Sequence, residues 1–251
     1  MPNKVAITDY AVEVPACTEH KFTLRSAVDV QDNDVIIDWG DGTIEAIKDG
    51  KYTWKSGKQY DLSHDYASSM TEDVQTFIVK IYGKDYYTFR NNSFPNNNLI
   101  SRIFDVDLPI ASHIGNFASM CFGATRLTNV AIPHSTKYVT TGFNFSSTFE
   151  SATNLVSVTG FEDSPLRYDC LVSNIFNKCK SLTTTDFTIP VCALSIAGIF
   201  AGCISLTTAT RLVPACGVLG AGKINISNAW LNVPATVKAT VPQSLGGTLA
   251  D

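Results

Sequence analysis

The sequence has few charged residues and no excess of basic ones. Lys and Arg number 19 and Asp and Glu 23, which gives a formal net charge of −4 at pH 7. A surface that binds nucleic-acid phosphates normally carries a basic excess or stripe, so we expect no nucleic-acid partner. The apolar share of 45% is nevertheless large enough for a folded core in a chain of 251 residues.

Long hydrophobic runs are also missing. No stretch approaches the roughly 18 consecutive apolar residues that span a bilayer, so we expect no membrane insertion. The first residues, MPNKVAITDYAVEV, lack both the apolar run of about 7–15 residues and the cleavage site of a secretory signal. Their pattern favours the first strand of a fold. We therefore expect synthesis in the cytoplasm without an export signal.

The sequence lacks the motifs that hold a metal ion or activate a nucleophile. It contains no CxxC pair, no histidines at metal-pair spacing and no GxSxG motif. A triad assembled from residues distant in sequence would leave no such motif, and nothing points to one. We predict no catalytic, cofactor-binding or metal-binding residues, and no enzyme. Buried free thiols are the favoured use of the seven cysteines, Cys17, Cys121, Cys170, Cys179, Cys192, Cys203 and Cys216.

Two segments show part of a ligand-binding pattern. GVLGAGK, residues 217–223, has the spacing of a phosphate-binding loop, but the next residue is Ile224 and not the hydroxyl that binds Mg²⁺. A glycine-rich connector is the better interpretation. The acidic residues between Asp29 and Asp38 do not match a calcium-binding loop, and a solvated loop is favoured there. Whether a calcium ion binds near this loop stays open.

The first 85 residues have the pattern of half-buried strands separated by turns. Apolar residues alternate in the run Phe77, Val79, Ile81, for example. VIIDWGDGT, residues 35–43, predicts a strand followed by a tight glycine turn, and HDY follows at 64–66. This combination resembles the polycystic-kidney-disease (PKD) type of immunoglobulin-like domain. The resemblance implies a β-sandwich in which His64 occupies a structural position.

The loop between these two motifs departs from the PKD pattern, because it is longer and more aromatic. Its sequence, DGKYTWKSGKQYDLS, contains Tyr52, Trp54 and Tyr60. These three side chains are candidate contacts for a partner. Packing over the edge of the sandwich is the alternative for scattered aromatic residues.

The second half of the chain contains a repeat. TFESATNL, IFNKCKSL and IFAGCISL each place a phenylalanine six residues before a leucine, and CFGATRL and SFPNNNL are shorter versions. The phenylalanines lie 28, 27, 27 and 24 residues apart, which is the period of leucine-rich repeats. One unit cannot bury its own apolar face, so we expect Phe and Leu of successive units to stack into one column. Cys179, Cys203 and Ala152 share a small buried position in this pattern.

The pattern F-x-x-C-x-x-L-T followed by I-P is similar to the BspA-type leucine-rich repeats. Many members of that family carry a D-W-G-D-G, H-x-Y sandwich directly before the repeats, as this chain does. The resemblance implies a mainly β fold: a PKD-type immunoglobulin-like β-sandwich over residues 1–88, then a short irregular leucine-rich-repeat solenoid over 89–251. Trp230 and the Val-Pro steps around it are expected to form a C-terminal cap.

This architecture predicts a binding or assembly protein. Without an export signal, the expected setting is a phage virion, as a head fibre, tail fibre or capsid decoration. The expected partners are other virion proteins and a host-surface protein or glycan, and the protein is expected to be oligomeric in an assembly. The alternative is a bacterial cell-surface adhesin, which the family resemblance implies. An accessory module of a carbohydrate-active enzyme comes third.

Overall fold

The described part of the chain is mainly β. The computed structural model describes residues 6–15, 21–26, 36–46, 60–82, 100–105, 118–131, 144–159, 171–187, 195–208, 225–241, 243 and 248. These contain ten strands and one four-residue helix. The prediction of a mainly β chain is confirmed in this respect. No helix in these segments is long and apolar enough to cross a bilayer.

The first part of the chain supplies four strands of one sheet. β1 (Ala6–Pro15) pairs antiparallel with β6 (Val74–Tyr82), which also pairs with β3 (Ile36–Asp38). The turn 39–43 then leads into β4 (Ile44–Ala46), which pairs with β3 as a hairpin. β6 buries Phe77 and Val79 and exposes the intervening Ile78. The expected alternation is therefore confirmed at those two positions.

Two further strands form a second, smaller sheet. β2 (Lys21–Ser26) pairs antiparallel with β5 (Tyr60–Asp65) over six residue pairs. Side chains from the two sheets meet directly. The Trp39 ring, which follows β3, stacks on the His64 ring of β5 at 5.1 Å, and Tyr66 stacks on Phe77 of β6 at 4.3 Å.

The larger sheet continues into the second half of the chain. β7 (Ile100–Asp105) pairs antiparallel with β1, and β8 (Asn129–Ala131) then pairs parallel with β7. β9 (Ser157–Thr159) and β10 (Thr184–Thr185) extend the parallel part. The order of the sheet is β10-β9-β8-β7-β1-β6-β3-β4. Hydrogen bonding between strands therefore crosses the predicted boundary near residue 88.

Five turn segments of the second half stack into what we call the turn column. Each has one buried central residue, and these are Cys121, Phe149, Phe176, Phe200 and Trp230. The Phe176 ring lies 5.9 Å from that of Phe149 and 5.2 Å from that of Phe200, nearly parallel to both. Leucine follows six residues after each of the first four centres and is buried in every case. The expected stacking is confirmed for the rings of Phe149, Phe176 and Phe200.

One expectation about the units needs correction. Phe122 is not the central residue of its segment: it is 43% exposed, and Cys121 takes the buried position. The spacing from Cys121 to Leu127 is thus the same six residues as elsewhere, and the unit is not shortened. The ring of Trp230, which is expected to belong to a C-terminal cap, stacks on Phe200 at 5.2 Å as the fifth member of the column. Helix α1 (Ala235–Lys238) follows it.

Backbone hydrogen bonds join each turn segment to the next. Every second amide of a segment donates a hydrogen bond to a carbonyl of the next segment, at N···O distances of 2.6–3.0 Å. In the segment centred on Phe149, the donors are Ser147, Phe149 and Ser151, and the acceptors are the carbonyls of Ser173, Ile175 and Asn177. The amides between them close turns within their own segment. The two kinds of bond together satisfy most of the amides in this segment.

This alternation depends on two residues in each of the five segments that adopt the left-handed backbone conformation, with positive φ. They lie two positions before and two positions after the centre, with φ between 54° and 77°. The pairs are Ser119 and Gly123, Ser147 and Ser151, Asn174 and Lys178, Gly198 and Gly202, and Asn228 and Asn232. A residue other than glycine costs roughly 1 kcal/mol in this conformation, and asparagine tolerates it best. The hydrogen bonds to the next segment offset that cost.

Replacing Phe176 by alanine should lower the free energy of unfolding by about 3–5 kcal/mol, because the ring is fully buried between two others. Phe122→Ala is the matched control. As an exposed side chain, it should change the free energy of unfolding by less than about 0.5 kcal/mol. Chemical denaturation measures both values. A large loss for Phe122→Ala would contradict the assignment of Cys121 to the buried column.

Candidate functional site

The turn after β3 holds a carboxylate with several hydrogen bonds, that of Asp41. One oxygen of Asp41 accepts the Ser69 hydroxyl at 2.6 Å and meets His64 Nε2 at 2.7 Å. The other oxygen accepts the Thr43 amide at 2.9 Å. The Asp41 side chain is only 2% exposed. Asp41 therefore joins the turn to β5 and to the segment that follows it.

Glycine and aromatic residues fix the position of this carboxylate. Gly40 has φ +83°, and a Cβ there would lie 2.5 Å from the carbonyl oxygen of Ile78, so no other residue fits. Tyr66 is buried and donates its hydroxyl to the Trp39 carbonyl at 2.9 Å. The His64 ring lies flat on Trp39 and edge-on to Tyr66, at 5.1 Å and 4.6 Å. We call Trp39, Asp41, His64, Tyr66 and Ser69 the turn cluster.

The charges in the turn cluster follow from these contacts. Burial alone would raise the pKa of Asp41, but hydrogen bonds from Ser69, His64 and Thr43 outweigh it and hold that pKa well below its ordinary value. Burial raises the pKa of Tyr66 far above its usual range, and the charges of Asp41 and Asp38 add to this effect. The tyrosine therefore stays protonated as a hydrogen-bond donor, and the aspartate stays ionised as an acceptor.

This arrangement stabilises the fold and does not have the geometry of a hydrolase. In a Ser-His-Asp triad, histidine lies between the other two and takes the serine proton. Here the carboxylate lies in the middle, and the Ser69 hydroxyl donates to Asp41 instead of to His64. A carboxylate whose pKa is held this low is also a weak general base. The contacts place His64 between Asp41 and the rings of Trp39 and Tyr66, where it joins β5 to the turn.

No cation site is found in the described part of the chain. There, no three His, Cys, Asp or Glu side chains lie close enough to hold a metal ion. Of the acidic residues considered for calcium, only Asp38 is described, and its side chain accepts the amide of Gly40 at 2.9 Å. Asp29, Asp32 and Asp34 lie outside the described residues, as does the GVLGAGK segment at 217–223.

The described cysteines act in packing. Cys121, Cys179 and Cys203 are buried free thiols, as expected, and the other four cysteines lie outside the described residues. Burial raises the pKa of all three, to about 12 for Cys203, so they are not nucleophiles at neutral pH. Cys179 and Cys203 each donate to the carbonyl of the preceding central phenylalanine at 3.0 Å. The small buried position thus also supplies a hydrogen bond between segments.

The predicted partner contacts lie mostly outside the described part. Tyr52 and Trp54 are not described, and only the backbone of Tyr60 is, where it pairs with Ser26 at the start of β5. Their role as contacts stays a prediction.

A row of polar side chains lines the parallel strands of the second half. Asn129, Ser157 and Thr184 lie in register on β8, β9 and β10, and we call them the strand row. Asn129 and Thr184 are exposed, whereas Val130 and Val158, the next residues on β8 and β9, are buried. Ser157 donates its hydroxyl to the Asn129 side-chain oxygen at 2.8 Å. Neighbouring strands hold such groups about 4.8 Å apart.

Comparisons with known proteins return no match: no family model, no curated protein and no solved structure is significantly similar to the chain. The geometry of the described residues is therefore the basis for any functional proposal.

Sequence reasoning found the motifs of the turn cluster but missed one member. Ser69 carries no recognisable signal, because its contact with Asp41 spans 28 residues. The strand row was also missed. Its members follow each repeat leucine by two residues, so the repeat alignment itself was the available signal.

Asp41→Asn should lower the free energy of unfolding at pH 7 by about 2 kcal/mol, because hydrogen bonds to a charged acceptor are lost. The folded-state pKa of Asp41 lies below the ordinary value of about 3.9, so its contribution is present above that pH and disappears as the pH falls below it. Denaturation between pH 7 and pH 2 should therefore show a weaker acid dependence for the variant. Glu72→Gln, at an exposed carboxylate, is the control. Equal acid dependence of wild type and Asp41→Asn would contradict this account.

Proposed function

We propose that the protein is a non-enzymatic structural and adhesion protein. It docks on a larger assembly and presents the surface of its repeats to a host protein or glycan, as a head fibre, tail fibre or capsid decoration of a phage virion does. The strand row is the observation that carries the proposal, because it offers regularly spaced polar groups on a hydrogen-bonded sheet.

We further infer that the fold is a PKD-type sandwich joined to a leucine-rich-repeat solenoid of the BspA type. The turn cluster supports the first part, since the D-W-G-D-G and H-x-Y motifs meet through Asp41 and His64. The turn column supports the second part, since its segments recur every 24–30 residues and bond to one another in sequence order. Stacked repeats of this kind provide extended surfaces for recognition.

The rigidity of the strand row favours binding over catalysis. Its side chains lie on paired strands, and hydroxyls of neighbouring positions are already engaged: Thr183 donates to the Val156 carbonyl at 3.1 Å and Thr207 to that of Thr183 at 2.9 Å. Such groups are held in place before a ligand arrives, which reduces the entropy lost on binding. Repeated hydroxyl and amide groups match the hydroxyl groups of a glycan.

A bacterial cell-surface adhesin is the second candidate. The same strand row would then contact the host ligand, while the first part of the chain would connect it to the bacterial cell surface. The BspA-type pattern favours this candidate, because the resemblance implies surface adhesins.

Thr184→Arg should weaken ligand binding at least tenfold, because a long charged side chain would cover one end of the strand row and extend over Ser157. A glycan array probed with the full chain identifies the ligand and measures the loss. Thr125→Arg is the matched control, since Thr125 is equally exposed but lies in a turn segment. Equal binding by both variants would contradict a role for the strand row.

The virion setting has its own test. Mass spectrometry of purified phage particles whose genome encodes the chain should detect it as a stoichiometric component. Its absence from particles, together with its recovery from the surface of bacterial cells, would favour the adhesin.

A further inference from the structure

The hydrogen bonds from alternate amides of the turn column run in one direction, from the amides of one segment to the carbonyls of the next. The last segment has two such amides for which the described residues supply no acceptor. In every earlier segment described, the residue two positions before the centre donates forward, as Gly198 does to the Ser227 carbonyl at 2.9 Å. In the segments centred on Phe149 and Phe200, the residue four positions before the centre does so too, as Ile196 does to the Asn225 carbonyl at 2.9 Å. Ile226 and Asn228 are the equivalent residues of the segment centred on Trp230. Within the residues that the structure describes, their amides meet no acceptor.

These two amides keep the conformation of their bonded counterparts. Asn228 has φ 55°, close to the 62° of Gly198 and the 57° of Asn174 at the same position. The turn bond within the segment is also kept, from the Leu231 amide to the Asn228 carbonyl. By this equivalence, the amides of Ile226 and Asn228 point along the column axis, where a further segment would place its carbonyls.

A cleft lies at this end of the column. It has a volume of about 190 Å³, and its lining residues are Ile226, Asn228, Ala229, Trp230, Leu231 and Lys238. Lys238, in the last turn of α1, is the only charged residue among them. Helix α1 is held against the fold by the buried side chain of Val237. Among its described lining residues, the cleft thus combines backbone donors with one ammonium group and no carboxylate.

We propose that this cleft binds a peptide of a partner protein by its C-terminal carboxylate. The Asn228 amide is arranged for a peptide carbonyl, because its counterpart bonds one in every earlier segment described. The counterpart of Ile226 does so in the segments centred on Phe149 and Phe200. A chain end supplies such a carbonyl and, beside it, a carboxylate to pair with Lys238. Capture of C-terminal carboxylates by backbone donors is a known mode of peptide recognition. The exposed Leu231 offers an apolar contact for the last side chain.

Lys238 determines the charge of the ligand that fits the cleft. A single ammonium group matches a monoanion, and charge-assisted hydrogen bonds to it are stronger than neutral ones. The cleft is a second surface, remote in sequence from the strand row, and the proposal does not depend on what the strand row binds.

The test is an NMR titration of the full-length protein with N-acetyl-Ala-Ala-Ala that has a free C-terminus. Saturable shifts of the Ile226 and Asn228 amide signals are expected at millimolar peptide, with at least fivefold weaker binding of the C-terminally amidated peptide. Lys238→Gln should weaken binding at least fivefold. Lys180→Gln, an exposed lysine of an earlier segment, should leave it unchanged.

Asn228→Gly tests whether the backbone amide or the side chain of Asn228 binds the peptide, because glycine removes the side chain and keeps the amide and the left-handed conformation. Binding should persist in this variant. The proposal is overturned if the two amide signals do not shift, if the free and amidated peptides bind equally, or if Lys238→Gln binds as well as wild type. Tighter binding of glucuronate than of the peptide would also overturn it, in favour of an acidic sugar.

Discussion

The second half of the structure depends on one backbone constraint: alternate amides of every turn segment must reach the next segment. A segment that used all its amides for its own turns could not bond to a neighbour, and a fully extended one would not turn. Two left-handed residues, placed two positions on either side of the centre, allow both kinds of bond at once. The stacked phenylalanines, the thiol hydrogen bonds and the strand row all follow from the register that this pattern sets.

The same constraint separates structural from accessible groups. It turns the central Phe, the Leu and the Cys inward, where their burial removes them from any chemistry with a ligand. It leaves Asn129, Ser157 and Thr184 outward on the strands, and it gives the column an end with forward-pointing donors. In the first part of the chain, the turn cluster also keeps polar groups away from a ligand, because the Asp41 carboxylate and His64 Nε2 are hydrogen-bonded to each other. In the described part of the chain, the polar groups left accessible to a ligand lie on the surface.

Much of this could be predicted from sequence, and the misses have physical reasons. Burial at Phe149, Phe176 and Phe200 follows from spacing, because stacked units need apolar residues at one position. Phe122 misled the alignment because a cysteine fills the central position just before it. The left-handed positions were not predicted: Gly and Asn are recognisable there, but Ser147, Ser151 and Lys178 are held in that conformation by tertiary hydrogen bonds and carry no local signal. Contacts such as the one between Asp41 and Ser69 join segments that are distant in sequence, so no local sequence pattern predicts them.

The most direct test of the central constraint is glycine substitution at Lys178 and Lys180. Lys178 is left-handed, with φ 62°, and its amide donates to the Ala201 carbonyl, whereas Lys180 is an exposed residue of the same segment that is not left-handed. Lys178→Gly should raise the free energy of unfolding by up to about 1 kcal/mol, because glycine relieves the left-handed strain. Lys180→Gly should lower it by about 0.5–1 kcal/mol, because glycine only adds chain entropy there. Equal destabilisation by the two substitutions, measured by chemical denaturation, would contradict the account.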